Sequence, residues 1–319
     1  GCGQREESER QGASGMSAAG GIEFVEPYAF RGTVLEDKDL SGIACISPAR
    51  CLIGADESGA VQVAVLSRQD RTLNLLRSVS LLGSGEEIDI EGIAAGDDCY
   101  YITGSHGVAK KSGEHQAKRY TICRLRVDPS TGMPTDDPVS LASLASILEN
   151  DGTLAPYFAR PLQQKGVNVE GLAFRDGRLF VGLRNPNLDG FAFVLEVGAD
   201  EVFANASRPA YVLHKLRLGE GLGIREILAA TQGFLLISGN AGSEPSDAYP
   251  QAQDYQEDRG YLIFRWPGEG SEVRKVGAIP DPPGKAEAMT ILEESATETT
   301  VLILFDGPRN GAPSVYRLH

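Results

Sequence analysis

Several things are scarce in this chain, and each shortage removes a class of function. No run of about 18 apolar residues occurs, which excludes a helix that spans a bilayer. Positive charge is short: 30 Lys and Arg face 44 Asp and Glu, leaving a net charge of -14. Nucleic-acid binding rests on Lys and Arg neutralising phosphates, so DNA and RNA are excluded as partners. Aromatic residues make up only 7% of the chain, with one Trp, which gives little material for a broad aromatic docking face. The four histidines include no pair at ligand spacing, and there is no H-E-x-x-H, P-loop, G-x-S-x-G elbow or EF-hand loop.

Turn formers are plentiful instead. With Gly 38 and Pro 17, the composition favours short strands and many turns, and 319 residues suit one all-β domain. Residues 1–21 are polar, rich in Gly, Ser, Glu and Gln, and have no apolar period; they read as a disordered tether ahead of a domain over 22–319. Cys2 resembles the lipidated first residue of a mature bacterial lipoprotein, so membrane association is expected only through that lipid. The other cysteines fall in two close pairs, Cys45 with Cys51 and Cys99 with Cys123. An even count in close pairs fits disulfides and an exported protein, periplasmic or at the cell surface; four buried thiols are the alternative.

One pattern recurs five times: Ser41-Gly-Ile-Ala44, Glu91-Gly-Ile-Ala94, Glu170-Gly-Leu-Ala173, Glu226-Ile-Leu-Ala229 and Glu287-Ala-Met-Thr290. Each copy opens an apolar strand, followed by a turn and a second apolar strand. A third strand follows in every copy, and fourth strands are expected at 72–81, 210–218 and 272–279. Four antiparallel strands repeated around an axis make a five-bladed β-propeller. The chain stops after three strands of its last unit, while Ile22, Phe24, Tyr28 and Phe30 alternate in an orphan strand near the start. That strand is expected to complete the last blade and close the ring, with Pro27 tolerated on its unpaired edge. The longest interval between copies, from Glu91 to Glu170, carries Leu141, Leu144, Ile147 and Leu148 at helical spacing and predicts a helical insertion on blade two at about 138–161.

In such a fold the first strand of each blade lines a central channel. The leading residues Ser41, Glu91, Glu170, Glu226 and Glu287 are therefore expected to ring one mouth, with Asp56, Glu57, His106, Arg184, Asn185, Asn240 and Asp306 around them. Converging carboxylates repel one another, and a cation relieves this. Calcium suits a ring of carboxylate oxygens and waters; zinc would call for His or thiolate. The alternative is that each Glu accepts hydrogen bonds from backbone N–H groups of the adjoining blade, while Arg225 and Lys285 neutralise part of the charge. In the outer set His106 could move a proton, Arg184 could grip an anion and Asp56 could orient a water.

Asp39-Leu-Ser-Gly-Ile-Ala44, Asp89-Ile-Glu-Gly-Ile-Ala94, Gly104-Ser-His-Gly107 and Val169-Glu-Gly-Leu-Ala-Phe174 with Gly182-Leu-Arg184 together resemble a bacterial family known as domain of unknown function 3616. More distantly, the chain is similar to the calcium-activated nucleotidases, or apyrases, five-bladed propellers whose channel calcium is held by Ser and Glu at strand starts. That similarity implies calcium at the leading residues and hydrolysis of phosphoanhydrides.

The expected function is an exported, monomeric, calcium-binding propeller that hydrolyses a phosphorylated or otherwise anionic small molecule. The alternative is a non-catalytic envelope propeller that binds a protein or glycan, with any metal structural.

Overall fold

A computed structural model describes residues 21–83 and 86–319. The expected tether, and Cys2 within it, lie outside the described residues apart from Gly21.

The β-rich composition is realised as five antiparallel sheets around a channel, the five-bladed propeller expected from the repeat. The first strands are Leu40–Cys45, Ile90–Gly96, Asn168–Arg175, Leu222–Ala229 and Lys285–Glu294, and in each sheet strands two, three and four follow outward. Their alternation explains the packing. In blade one Ile43 and Ile53 join a cluster with Ala288, Leu302 and Leu304 of blade five, while Ala44 and Leu52 join one with Ile90, Ile93 and Ile102 of blade two. All five core clusters lie between neighbouring blades in this way, so no blade buries its faces without both neighbours.

Near the axis the first strands approach backbone to backbone. A Cβ on Gly92 would stand 2.9 Å from the Leu172 nitrogen, and one on Gly171 would stand 2.7 Å from the Ile227 nitrogen. The Gly in the repeat is thus required by the neighbouring strand rather than by a turn.

Ring closure differs in one detail from the expectation. Ile22–Pro27 pairs antiparallel with Ser314–Leu318 and completes blade five, but the chain then turns, and Ala29–Arg31 adds to the outer edge of blade one, parallel to Thr72–Ser80. Tyr28 sits at the crossing, its N–H donating to Pro313 O at 2.8 Å and its ring buried against blade one. The single orphan strand is therefore two short ones that join the last blade to the first.

The insertion on blade two is only partly helical. Ser140–Ala142 pairs with Ile122–Arg126 as the fourth strand, and a short helix, Ala145–Asn150, and two single 3-10 turns follow. Leu144, Leu148 and Leu154 pack into the core between blades two and three. Cys45 and Cys51, opposite one another in the blade-one hairpin, form a disulfide. Cys99 and Cys123 are separate buried thiols: Cys99 pairs with Arg126 and Cys123 with Ile102, which puts them out of register. The second expected disulfide is absent for that reason.

A candidate metal and ligand site at the channel mouth

Each first strand contains one residue that drops out of the ladder with the second strand. The register skips from Leu40 to Gly42, Ile90 to Gly92, Val169 to Gly171, Ile224 to Glu226 and Ala286 to Ala288. The residues passed over are Ser41, Glu91, Glu170, Arg225 and Glu287. A bulge leaves its residue unpaired and re-aims the side chain; here all five line one polar cavity of about 520 Å³.

This register moves one member of the expected ring. In blade four the bulge holds Arg225, and Glu226 occupies the place of Gly42, Gly92 and Gly171. Glu226 does not reach the polar mouth. Its carboxylate accepts the Ile227 N–H at 2.9 Å and the Met289 N–H at 3.3 Å, the backbone role considered as the alternative for every Glu.

Arg225 changes the electrostatics of the axis. Its Nη2 donates to Glu287 Oε1 at 2.8 Å, and its Nε lies 3.4 Å from Glu170 Oε2. Arg184 Nη1 donates to Glu170 Oε1 at 3.1 Å, while its other nitrogens donate to the Gly242 and Asn240 carbonyls. Burial alone would raise the Glu170 carboxyl, but the two guanidinium groups outweigh it and hold it below its ordinary range. Burial and the neighbouring Glu170 charge push Glu287 up to about 8, against the pull of Arg225.

The other side of the cavity is less well balanced. Asp56, Asp89 and Glu91 bring ligand atoms within 4.8 Å of one another, and Glu91 also belongs to a second such triad with Glu170 and Glu287. Arg119 Nη1 donates to Asp89 Oδ2 at 3.1 Å and is the cation paired with this group among the described residues. Burial first, then Asp89, Asp306 and Asp39, raise Asp56 to about 9. Burial, Glu170 and Asp89 raise Glu91 well above its ordinary range. One oxygen of Asp56 is buried without a hydrogen-bond partner. Ser41 lines the same cavity, its hydroxyl donating to Ile90 O.

Of the outer residues, Asp56, Glu57, Arg184 and Asp306 line the mouth. His106, Asn185 and Asn240 do not. His106 is fully buried: Nδ1 meets Gly104 O at 3.0 Å, and Nε2 accepts the Leu144 N–H at 3.1 Å, which ties blade two to its insertion. Burial lowers its pKa to about 4, so it is neutral, with both nitrogens engaged. Asn185 is buried with its amide on Leu162 O, and Asn240 serves Arg184 and Arg225 through its carbonyl.

Sequence reasoning placed Lys285 beside the ring as a neutralising charge, but did not single out Asp89, Lys110, Lys111, Arg119 or Asn168 as mouth residues; all line the cavity. Part of the signal was present. Asp39, Asp89, Asn168 and Lys285 each stand two residues before a bulge residue, so strand alternation brings them to the same mouth.

A family model described as Protein of unknown function (DUF3616) matches residues 39–128 and 138–312. The chain belongs to the DUF3616 family. No curated protein matches it. Among solved structures, the glutaminyl cyclase of Myxococcus xanthus is similar at a TM-score of 0.46 and 10% identity, over 93% of this chain and 96% of that one. These comparisons do not show the resemblance to the calcium-activated nucleotidases.

Proposed function

We propose that this DUF3616 protein is a calcium-binding propeller whose polar mouth takes a small anionic substrate and hydrolyses it. One imbalance carries the reading. Glu170 and Glu287 already face Arg184 and Arg225, whereas Asp56, Asp89 and Glu91 share Arg119 alone among the described residues. A hard divalent ion would supply the missing positive charge. Three carboxylates, waters and an irregular geometry suit calcium, and no His or Cys is present in the triad to favour zinc.

The proposed ion thus sits off the axis, on Asp56, Asp89 and Glu91, and Arg225 takes up the axial charge in place of a metal. When bound, the ion would polarise a substrate oxygen or lower the pKa of a water. Lys110, Lys111 and Lys285 line the cavity and offer charge to an anionic group. Glu287 and Asp306, in the same cavity, are placed to move a proton, a role for which buried His106 is not available. That engagement of His106 also favours a second reading, a mouth that binds its ligand without turning it over. The Cys45–Cys51 disulfide supports a location outside the reducing cytoplasm, consistent with an exported monomer.

The test is a calorimetric calcium titration of metal-stripped protein, with Asp56→Asn as the variant, followed by phosphoester and phosphoanhydride panels with and without calcium. Binding that is lost in Asp56→Asn, with calcium-dependent turnover, supports the proposal. Binding unchanged in Asp56→Asn overturns the ion site, and calcium binding without turnover of any compound moves the mouth to the second reading.

A further inference from the structure

The two ends of the channel differ in chemistry. Opposite the carboxylates, the ends of the five first strands enclose a cavity of about 390 Å³, a size usual for small-molecule sites. Ile43, Ile93, Leu172, Ile227 and Met289 form an apolar tier in its wall, and small residues such as Ala44, Ala94 and Ala95 keep it open.

One group in that wall is out of keeping with the rest. Glu226 stands where three other blades have Gly, and it is 1% exposed. The Ile227 and Met289 amides fix its carboxyl, at 2.9 Å on Oε1 and 3.3 Å on Oε2, and the Leu172 amide also bonds to it, so three backbone donors meet the four lone pairs of the two oxygens. No Lys, Arg or His makes an ion pair with it among the described residues, in contrast to Glu170 and Glu287. A buried carboxylate beside this apolar tier and without a counter-ion is costly, and burial accordingly drives the group toward its neutral form.

We propose that this lower mouth is a second ligand site, for a lipophilic primary amine whose ammonium pairs with Glu226 and whose alkyl body fills the chamber. Charge complementarity selects that class. A fatty acid would bring a second negative charge toward Glu226, and Arg68 at the rim is already paired with Glu293 at 3.0 Å. A neutral hydrocarbon would leave Glu226 without a counter-ion. A hydrated metal ion would meet one carboxylate and an apolar wall. The inference does not depend on the calcium reading, since it concerns the other end of the channel.

The experiment is calorimetry of the whole protein, with calcium present throughout, against octylammonium, octanol and octanoate. Octylammonium should bind about tenfold or more tighter than octanol, the margin expected of a charged hydrogen bond, with octanoate weakest. Glu226→Gln should remove that margin and leave octanol unchanged; Ala95→Leu, which narrows the chamber without touching Glu226, should weaken amine and alcohol alike. Equal binding of amine and octanoate by the wild-type protein would overturn the proposal whether or not Glu226→Gln folds. So would amine binding that neither variant alters.

Discussion

The Arg225 guanidinium and the Glu287 carboxylate meet at 2.8 Å, both almost sealed from solvent, at the one bulge of the five that carries a cation. Arg225 also faces Glu170, which is held ionised, so removing the guanidinium leaves that buried charge short of a counter-ion. Arg225→Leu should therefore cost about 3–5 kcal/mol in denaturant unfolding. Adding Glu287→Gln to that variant should recover part of the loss, and if the double variant is as unstable as the two losses added together, the pair is not the source of the cost.

The off-axis placement of the ion makes a sharper prediction than the presence of an ion alone. Glu91→Gln should weaken calcium binding about tenfold or more, equivalent to about 1.4 kcal/mol of lost ligand interaction. Glu226→Gln should leave calcium binding unaltered, because that carboxylate does not line the polar mouth. Equal losses in both variants would restore the axial ring.

Asp56 and Glu287, raised to about 9 and about 8, shape the pH dependence of the metal-free protein together with Glu91 and Glu226, which are raised in the same direction. Between the ordinary carboxylate range and those values the folded state holds protons that the unfolded chain has released. Stability contributed by these groups is present in full below the unfolded pKa and falls as pH rises through 8 and 9. Melting temperature in chelator should decline from pH 6 to pH 9, and calcium should flatten the decline, since a bound cation favours the ionised forms. A profile identical with and without calcium would count against the site.

His106 titrates in the opposite sense. Its folded pKa, about 4, lies below that of an unfolded histidine, so between the two the unfolded chain binds more protons and stability rises with pH. His106→Ala leaves the Leu144 N–H without its acceptor and should cost about 1–3 kcal/mol in unfolding. Turnover per folded molecule should persist; its complete loss would return His106 to the catalytic machinery.

Peptide mapping without reductant should find one disulfide, Cys45–Cys51, and alkylation of Cys99 and Cys123 only after unfolding. Reduction should lower stability by about 2 kcal/mol. Detection of a Cys99–Cys123 bridge in the native protein would contradict the strand register.

Much of the fold was legible because the glycines that let neighbouring strands approach recur at a fixed phase, as Gly42, Gly92 and Gly171 show. Blade four misled for a physical reason. Glu226-Ile-Leu-Ala229 imitates Glu170-Gly-Leu-Ala173, but all five first strands share one bulge, and in blade four Arg225 occupies it while Glu226 fills the place of Gly171, so the carboxylate stands one place late. Aligning the large apolar residues Ile43, Ile93, Leu172, Ile227 and Met289 would have put Arg225 at the mouth. His106 was misplaced because its partner, Leu144, is 38 residues away in the insertion, a contact that local sequence does not encode. The split of the closing strand at Tyr28 is likewise set by contacts with both ends of the chain, Pro313 O and the blade-one core.

The repeated bulge has an evolutionary consequence. Because the residue it carries makes no rung in the ladder with the second strand, exchanging that residue alters the charge at the mouth without disturbing the pairs on either side. Ser41, Glu91, Glu170, Arg225 and Glu287 fill one equivalent position with three residue types. A position of this kind lets ligand preference change while the strand ladder is kept, although occupants that pair across blades, as Arg225 and Glu287 do, must change together.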